Sequence, residues 1–165
     1  MNPPIRAAVL TVSDRSHRGE RPDASGPALC AILQDRLGAE VVHTACVSDD
    51  IDPITTQLRA WSGQSPPIDL ALTTGGTGLA PRDNTPEAAA KVITRLHPGL
   101  LELARMRCYQ KTPRTYLSRG ISGAAGRTLI ITLPGSPRGA TEMLEAMLDV
   151  LPHAIETLRG DVRDG

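Results

Sequence analysis

Apolar residues fall along the chain in short, nearly unbroken runs, separated by stretches where they recur every three or four positions. "IRAAVLTVS" (5–13), "AEVVHTACV" (39–47), "IDLALTT" (68–74) and "RTLIITL" (127–133) are aliphatic and β-branched. Runs of this length without alternation predict strands covered on both faces, as in a parallel sheet. Between them the period changes. Leu29, Ile32, Leu33 and Leu37 share a helical face that Gly38 can end. Asp52-Pro53 reads as a helix cap and first turn, followed by Ile54, Leu58 and Trp61 and closed by Gly63. Thr85-Pro86-Glu87 repeats that start signal, and Val92, Ile93 and Leu96 form a stripe stopping before Pro98. Residues 99–109 predict another helix. Ser136-Pro137 opens the last one, with Leu144, Leu148, Leu151, Ile155 and Leu158 on one side and a kink at Pro152. "RTYLSRG" (114–120) fits a short extra strand, at an edge or antiparallel.

Alternation of strand and helix predicts an α/β fold: a three-layer sandwich with a mostly parallel central sheet flanked by helices. The 165 residues suit one domain over 1–165, with a core that must be aliphatic, since Phe is absent and there are only one Trp and two Tyr. Eighteen basic and eighteen acidic residues give a formal net charge of zero, which argues against a bulk nucleic-acid or acidic-lipid binder. Cys30, Cys46 and Cys108 are far apart, form no zinc spacing, and read as small buried apolar groups in a reducing compartment. With no apolar stretch of about 18 residues and no leader pattern, the expectation is a cytoplasmic protein without a membrane partner. The four histidines are scattered and carry no ligand spacing.

In an open α/β sheet, ligands bind outside the carboxyl ends of the strands. Four such ends carry small, polar or acidic residues: Ser13-Asp14-Arg15, Ser48-Asp49-Asp50, Thr74-Gly75-Gly76-Thr77-Gly78 and Pro134-Gly135-Ser136. The glycines allow a backbone to approach a ligand and turn its N–H groups toward an anion, helped by the helix start at Thr85. A tight strand-to-helix turn is the plainer explanation. Neither a Walker P-loop nor GxGxxG is present, because GK[ST] is missing and Pro81 takes the place of the third glycine. Asp83, next to Arg82, would repel phosphate unless a magnesium ion lay between them, and Asp49 could be the second carboxylate. Asp83 could equally be a turn residue and Asp49 a helix cap, and Asp50 competes for either role. The polar segment "DRSHRGERPDASG" (14–26) brings Arg15, Arg18 and Arg21, cations that suit a polyphosphate or a solvated loop.

Taken in order, "TVSDRSHRGERPDASGPAL", "ACVSDD", "TTGGTGLAPRDNTPEA", "PGLLELAR", "YLSRG" and "TLIITLPGSPRGATEML" resemble the molybdopterin adenylyltransferases of molybdenum cofactor biosynthesis, including the matching domain of plant and animal fusion proteins. The resemblance runs from about residue 6 to 160. It implies a molybdopterin-binding-domain-like fold, a homotrimer, and transfer of AMP from Mg-ATP to the phosphate of molybdopterin with release of pyrophosphate. It also implies other cofactor-biosynthesis proteins as partners. The alternative is a binding or assembly protein of the same fold with little transferase activity. Carried over by position, Asp49 and Asp83 are the catalytic and metal carboxylates, and Gly75, Gly76, Thr77 and Gly78 hug the ligand. Ser13, Asp14, Arg18, Gly19, Asp23, Ser25 and Gly26 frame the nucleotide or pterin side. Arg82, Thr85 and Glu87 belong to the same block, and Ser118, Arg119, Pro134, Gly135 and Ser136 close the pocket. The chain departs from the family pattern at Ser136, at Asn84, and at Ala125, where an arginine is common. Arg127 or Arg138 is the expected compensation for the last.

Overall fold

The computed structural model describes residues 2–161. Its elements are β1 (Arg6–Val12), α1 (Asp14–His17), α2 (Ser25–Leu37), β2 (Glu40–Val47), α3 (Ile51–Gly63), β3 (Leu70–Thr74) and α4 (Thr85–Ala90). They continue as β4 (Arg95–Leu96), α5 (Gly99–Cys108), a 3₁₀ turn (Pro113–Leu117), β5 (Ser122–Ala125), β6 (Thr128–Leu133), α6 (Pro137–Glu145) and α7 (Leu151–Arg159). The sheet order is β2-β1-β3-β6-β5-β4. β2, β1, β3 and β6 run parallel, while β5 is antiparallel to both β6 and β4.

Side-chain alternation along the central strands fills both faces. Ala7 and Val9 of β1, Leu70 and Leu72 of β3, and Leu129, Ile131 and Leu133 of β6 pack with α2, α5, α6 and α7. Ala8, Leu10 and Val12, with Ala71 and Ile130, pack on the other side with Ile54, Leu58 and Trp61 of α3 and Ala88 and Ala89 of α4. These strands are buried on both faces, which is why their sequences read as continuous apolar runs. β2 lies at the edge and is only partly buried. The chain leaves β1 for β2 on one side and returns to β3 on the other, so a switch point falls between the carboxyl ends of β1 and β3.

Several boundaries differ from the sequence reading. α3 begins at Ile51 with Asp50 at the cap position, ahead of Asp52-Pro53. The stripe Val92–Leu96 does not continue α4. Thr94 N–H donates to Ala124 O and His97 N–H to Ser122 O, so this stretch is drawn out as β4. The "RTYLSRG" segment is a 3₁₀ turn and coil, and the antiparallel strand lies just beyond it as β5. The final helix is two, α6 and α7, with Pro152 in the first turn of α7, where its missing N–H costs nothing. Of the cysteines only Cys108 is buried; Cys30 and Cys46 are partly exposed. Among the described residues no helix is long and apolar enough to cross a membrane.

Candidate active site

The site is built around the connection from β3 to α4. Gly75 and Gly76 take φ of 108° and 67°, conformations open to glycine and strained for other residues. A Cβ on Gly75 would run into Val12 O, and one on Gly76 would press on Thr85 Oγ1. The loop is fastened by Thr85, whose hydroxyl donates to Gly75 O at 2.8 Å and whose N–H donates to Gly76 O at 3.0 Å. Gly75 N–H reaches across to Leu133 O at 3.1 Å.

Two basins open on either side of this loop. One, of about 490 Å³, is lined by Gly76–Gly78, Asp83, the 3₁₀ turn and the start of α6. The other, of about 680 Å³, is lined by the ends of β1 and β3, the 21–25 loop, Asp49 and the start of α6. Gly76, Gly135 and Ser136 border both. Ser136 caps α6, its hydroxyl accepting Gly139 N–H at 3.0 Å, so the amino end of that helix opens at the shared border. Thr74 Oγ1 donates to Pro134 O at 2.7 Å and fixes the two strand ends to each other.

Asp49 stands at the end of β2, locked to Asp14 by reciprocal bonds. Asp14 N–H donates to Asp49 Oδ2 at 2.8 Å, and Asp49 N–H donates to Asp14 Oδ1 at 3.0 Å. Arg82 completes a clamp, donating to Asp14 Oδ2 at 2.7 Å and to Asp50 Oδ1 at 3.1 Å. The two adjoining carboxyls are driven apart. Arg82, then the Asp49 N–H, holds Asp14 down at about 2. Burial pushes the Asp49 carboxyl up, and the nearby Asp14 and Asp83 charges add to the rise against the Asp14 N–H and Arg82. Asp83 Oδ2 accepts Ala80 N–H at 2.9 Å. Among the described residues, Oδ1 of Asp49 and Oδ1 of Asp83 accept no hydrogen bond, and Asp49 Oδ1 lies 3.4 Å from where a Gly76 Cβ would sit.

Among the described residues no three His, Cys, Asp or Glu side chains gather as a metal cage. Two carboxylates, each with an uncommitted oxygen and placed on either side of a glycine loop, fit a hard cation whose remaining ligands are phosphate oxygens and water.

The structure places Ser13, Asp23, Ser25, Asp49 and Gly75 on the larger basin, Thr77, Gly78, Asp83, Ser118 and Pro134 on the smaller, and Gly76, Gly135 and Ser136 on both. The remaining sequence candidates line neither. Asp14 and Arg82 form the clamp, and Thr85 fastens the loop. Gly26 donates its N–H to Asp23 Oδ1 behind the basin wall. Arg18 turns onto Glu20 in solvent with Gly19 beside it, and Arg21, not Arg18, lines the larger basin. Glu87 and Arg119 pair with each other. Asp50 is exposed on Arg82, leaving Asp49 as the β2 carboxylate at the basin. Ala125 is buried in β5, in the hairpin that enters the amino end of β6, opposite the basins, so neither it nor Arg127 can serve a ligand there. Asn84 donates to Asp49 O at 3.3 Å, a use for that departure. Sequence reasoning missed Cys108, Thr112, Arg114, Thr115, Leu117, Glu142 and Met143 in the smaller basin. They come from α5, the 3₁₀ turn and α6, and no local motif marks them.

A switch-point crevice with a glycine loop, two adjoining basins and paired carboxylates defines a phosphate-handling α/β protein. Residues 8–153 match the family described as the probable molybdopterin binding domain. The chain is 38% identical over 158 residues to a molybdopterin adenylyltransferase of Helicobacter pylori, covering 95% of this chain and 89% of that protein. It is 37% identical to the molybdenum cofactor synthesis protein cinnamon of Drosophila melanogaster, covering 96% of this chain but only 26% of that longer protein. Among solved structures, the molybdopterin biosynthesis enzyme MoaB of Thermus thermophilus superposes with a TM-score of 0.88 at 49% identity, covering 94% of this chain and 97% of the other. The chain belongs to the molybdopterin-binding-domain family of molybdenum cofactor biosynthesis proteins.

Proposed function

We propose that this chain is a molybdopterin adenylyltransferase that takes ATP and molybdopterin in the two basins and joins them at the glycine loop. The observation that carries this reading is the shared border. Two cavities suited to two ligands meet at Gly76, Gly135 and Ser136, with Asp49 and Asp83 beside the meeting point. The relatives named as molybdopterin adenylyltransferases support it. In the reaction an oxygen of the molybdopterin phosphate forms a bond to the α-phosphorus of ATP. The bond from that phosphorus to the bridging oxygen breaks, and pyrophosphate leaves with the electron pair.

The protein's part is placement and charge control, with no covalent intermediate on a side chain. Gly75–Gly78 lets the backbone come close to the reacting phosphates, and the start of α6 contributes N–H groups to the same border. Asp49 and Asp83 would hold magnesium together with phosphate oxygens, and the ion would supply charge neutralisation at the transferring group. The clamp of Asp14 and Arg82 keeps the Asp49 carboxylate aimed. We further read residues 1–165 as one domain acting in the cytoplasm beside other cofactor-biosynthesis proteins, and as a homotrimer. Exposed Leu96, Met106, Tyr109 and Tyr116 are consistent with a protein contact.

The test mixes the protein with molybdopterin and Mg-ATP and follows pyrophosphate. Release that depends on molybdopterin is the expected result. Molybdopterin binding with no pyrophosphate would replace the transferase reading by a binding or assembly role.

A further inference from the structure

Arg119 stands in a segment that the sequence suggests for ligand contact, yet each nitrogen of its guanidinium donates to the protein. Nε donates to Gly78 O at 2.8 Å, Nη2 to Asp83 O at 2.7 Å and Nη1 to Glu87 Oε1 at 2.5 Å. Its own N–H donates to Thr77 O at 2.7 Å, and Ser118 Oγ donates to Thr77 Oγ1 at 3.1 Å. Residues 77, 78 and 83 are thus hung on residues 118 and 119.

That support is itself only a connection between the 3₁₀ turn and β5; Ile121 ties its far end to Thr132 of β6, and Arg105 holds the carbonyls on either side of Arg119. Arg105 lies on α5, which is anchored in the core by Leu101, Ala104 and Cys108. A single nitrogen, Nη2, donates to Ser118 O at 2.9 Å and to Gly120 O at 3.0 Å. Arg105 is half-buried, burial lowers its pKa, and among the described residues it forms no salt bridge. A cation drawn partly out of water onto carbonyls alone gains little for general stability. Its two acceptors flank Arg119, which points to a more local purpose.

We propose that Arg105 and Arg119 are positioning residues that hold the 77–83 loop, and Asp83 with it, in ligand-ready shape before any ligand arrives. What the loop is ready for rests on the adenylyltransferase reading. Thr77, Gly78 and Asp83 line the smaller basin, while Gly76, which borders both, is fastened separately by Thr85. Loosening the 77–83 loop therefore reduces the competent fraction for the ligand of the smaller basin and raises its apparent Kd by the inverse of that fraction. An arginine that only touched a ligand would weaken binding without changing amide exchange in the ligand-free loop.

Four variants separate the possibilities: R105M, R105K, R119M and R119K. Amide exchange is measured in the ligand-free protein at Ala80, Asp83 and Arg119, whose N–H groups are all bonded within this assembly. Binding of ATP and of molybdopterin is measured by calorimetry. R105M, R119M and R119K should speed local exchange about tenfold and raise the Kd of the ligand that the smaller basin takes by the same factor, equivalent to ~1.4 kcal/mol, with the other Kd near wild type. R105K should stay near wild type, because one ammonium can reach two carbonyls, whereas lysine cannot replace three separate Arg119 donors. Unchanged local exchange overturns the proposal, as does unchanged affinity for both ligands or equal acceleration across β1, β3 and β6. If the wild-type protein binds neither ligand, the adenylyltransferase reading fails, while the exchange measurement still decides the role of the arginines.

Discussion

Alanine at position 76 strikes the place where the two basins meet. The backbone there has φ of 67°, and the added Cβ would press on Thr85 Oγ1, which anchors the loop through Gly75 O. Left-handed backbone costs a non-glycine residue about 1–2 kcal/mol. Displacing the Thr85 hydroxyl loses a hydrogen bond worth ~1 kcal/mol. The total of roughly 2–3 kcal/mol stays below the 5–15 kcal/mol of an ordinary domain, so Gly76→Ala should fold. Most of the strain is relieved if the loop shifts away from Thr85, and that shift misplaces the backbone facing both ligands. Binding of ATP and of molybdopterin should each weaken by about tenfold or more. Circular dichroism and a thermal melt establish the fold, and calorimetry with each ligand reads the affinity. A native fold with both affinities unchanged would show that the glycines form only a turn.

Asp83→Asn should keep the fold and lose about 100-fold or more in transfer rate, read from initial rates at saturating Mg-ATP, since a neutral amide gives no charge to the transferring group. Asp69 and Arg159 form a bidentate pair at 2.9 and 2.7 Å, each side chain 5% exposed. Burial raises the Asp69 carboxyl, but Arg159 and the Arg6 N–H outweigh it and leave it below its ordinary 3.8. The pair therefore contributes fully above pH ~4 and loses its contribution as pH falls through the depressed folded value. Asp69→Asn should cost about 3–5 kcal/mol in denaturant melts at pH 7 and progressively less in melts run at acid pH. Sedimentation at micromolar concentration should give three chains per particle, and a monomer would remove the trimer from the proposal.

Much of the fold was legible because two-sided burial leaves a mark on sequence. β1, β3 and β6 alternate their side chains between two helical layers, so that past Arg6 at the start of β1 their only polar positions are threonines. The failures share a physical cause: local pattern does not reveal a distant backbone partner. Val92, Ile93 and Leu96 fit a helical stripe, yet β5 takes the N–H groups of Thr94 and His97. The same limit applies at the site. The placement of Gly75–Gly78 and Asp49 beside the basins was legible because they follow strand ends that one fold brings together, and Asp83 lies in the same connection from β3 to α4. Arg119 was read as a ligand contact, and motif proximity gave no sign that its guanidinium pairs with Glu87 and lines neither basin. Arg105 and Glu142 gave no signal, since each acquires its place only when α5 and α6 pack beside the loop. Ala125 drew attention by its departure from the family pattern, but the hairpin carries it to the far end of the sheet.

In the proposed reaction the adenylyl group passes from ATP in one basin to molybdopterin in the other across Gly76. The most direct measurement supplies molybdopterin and Mg-ATP labelled at the α-phosphate in one reaction and at the γ-phosphate in another, and asks which label reaches the pterin product. The expected result is stoichiometric transfer of the α label, with the γ label leaving entirely as pyrophosphate. Appearance of the γ label on the pterin, or of neither label while both ligands are bound, would contradict it.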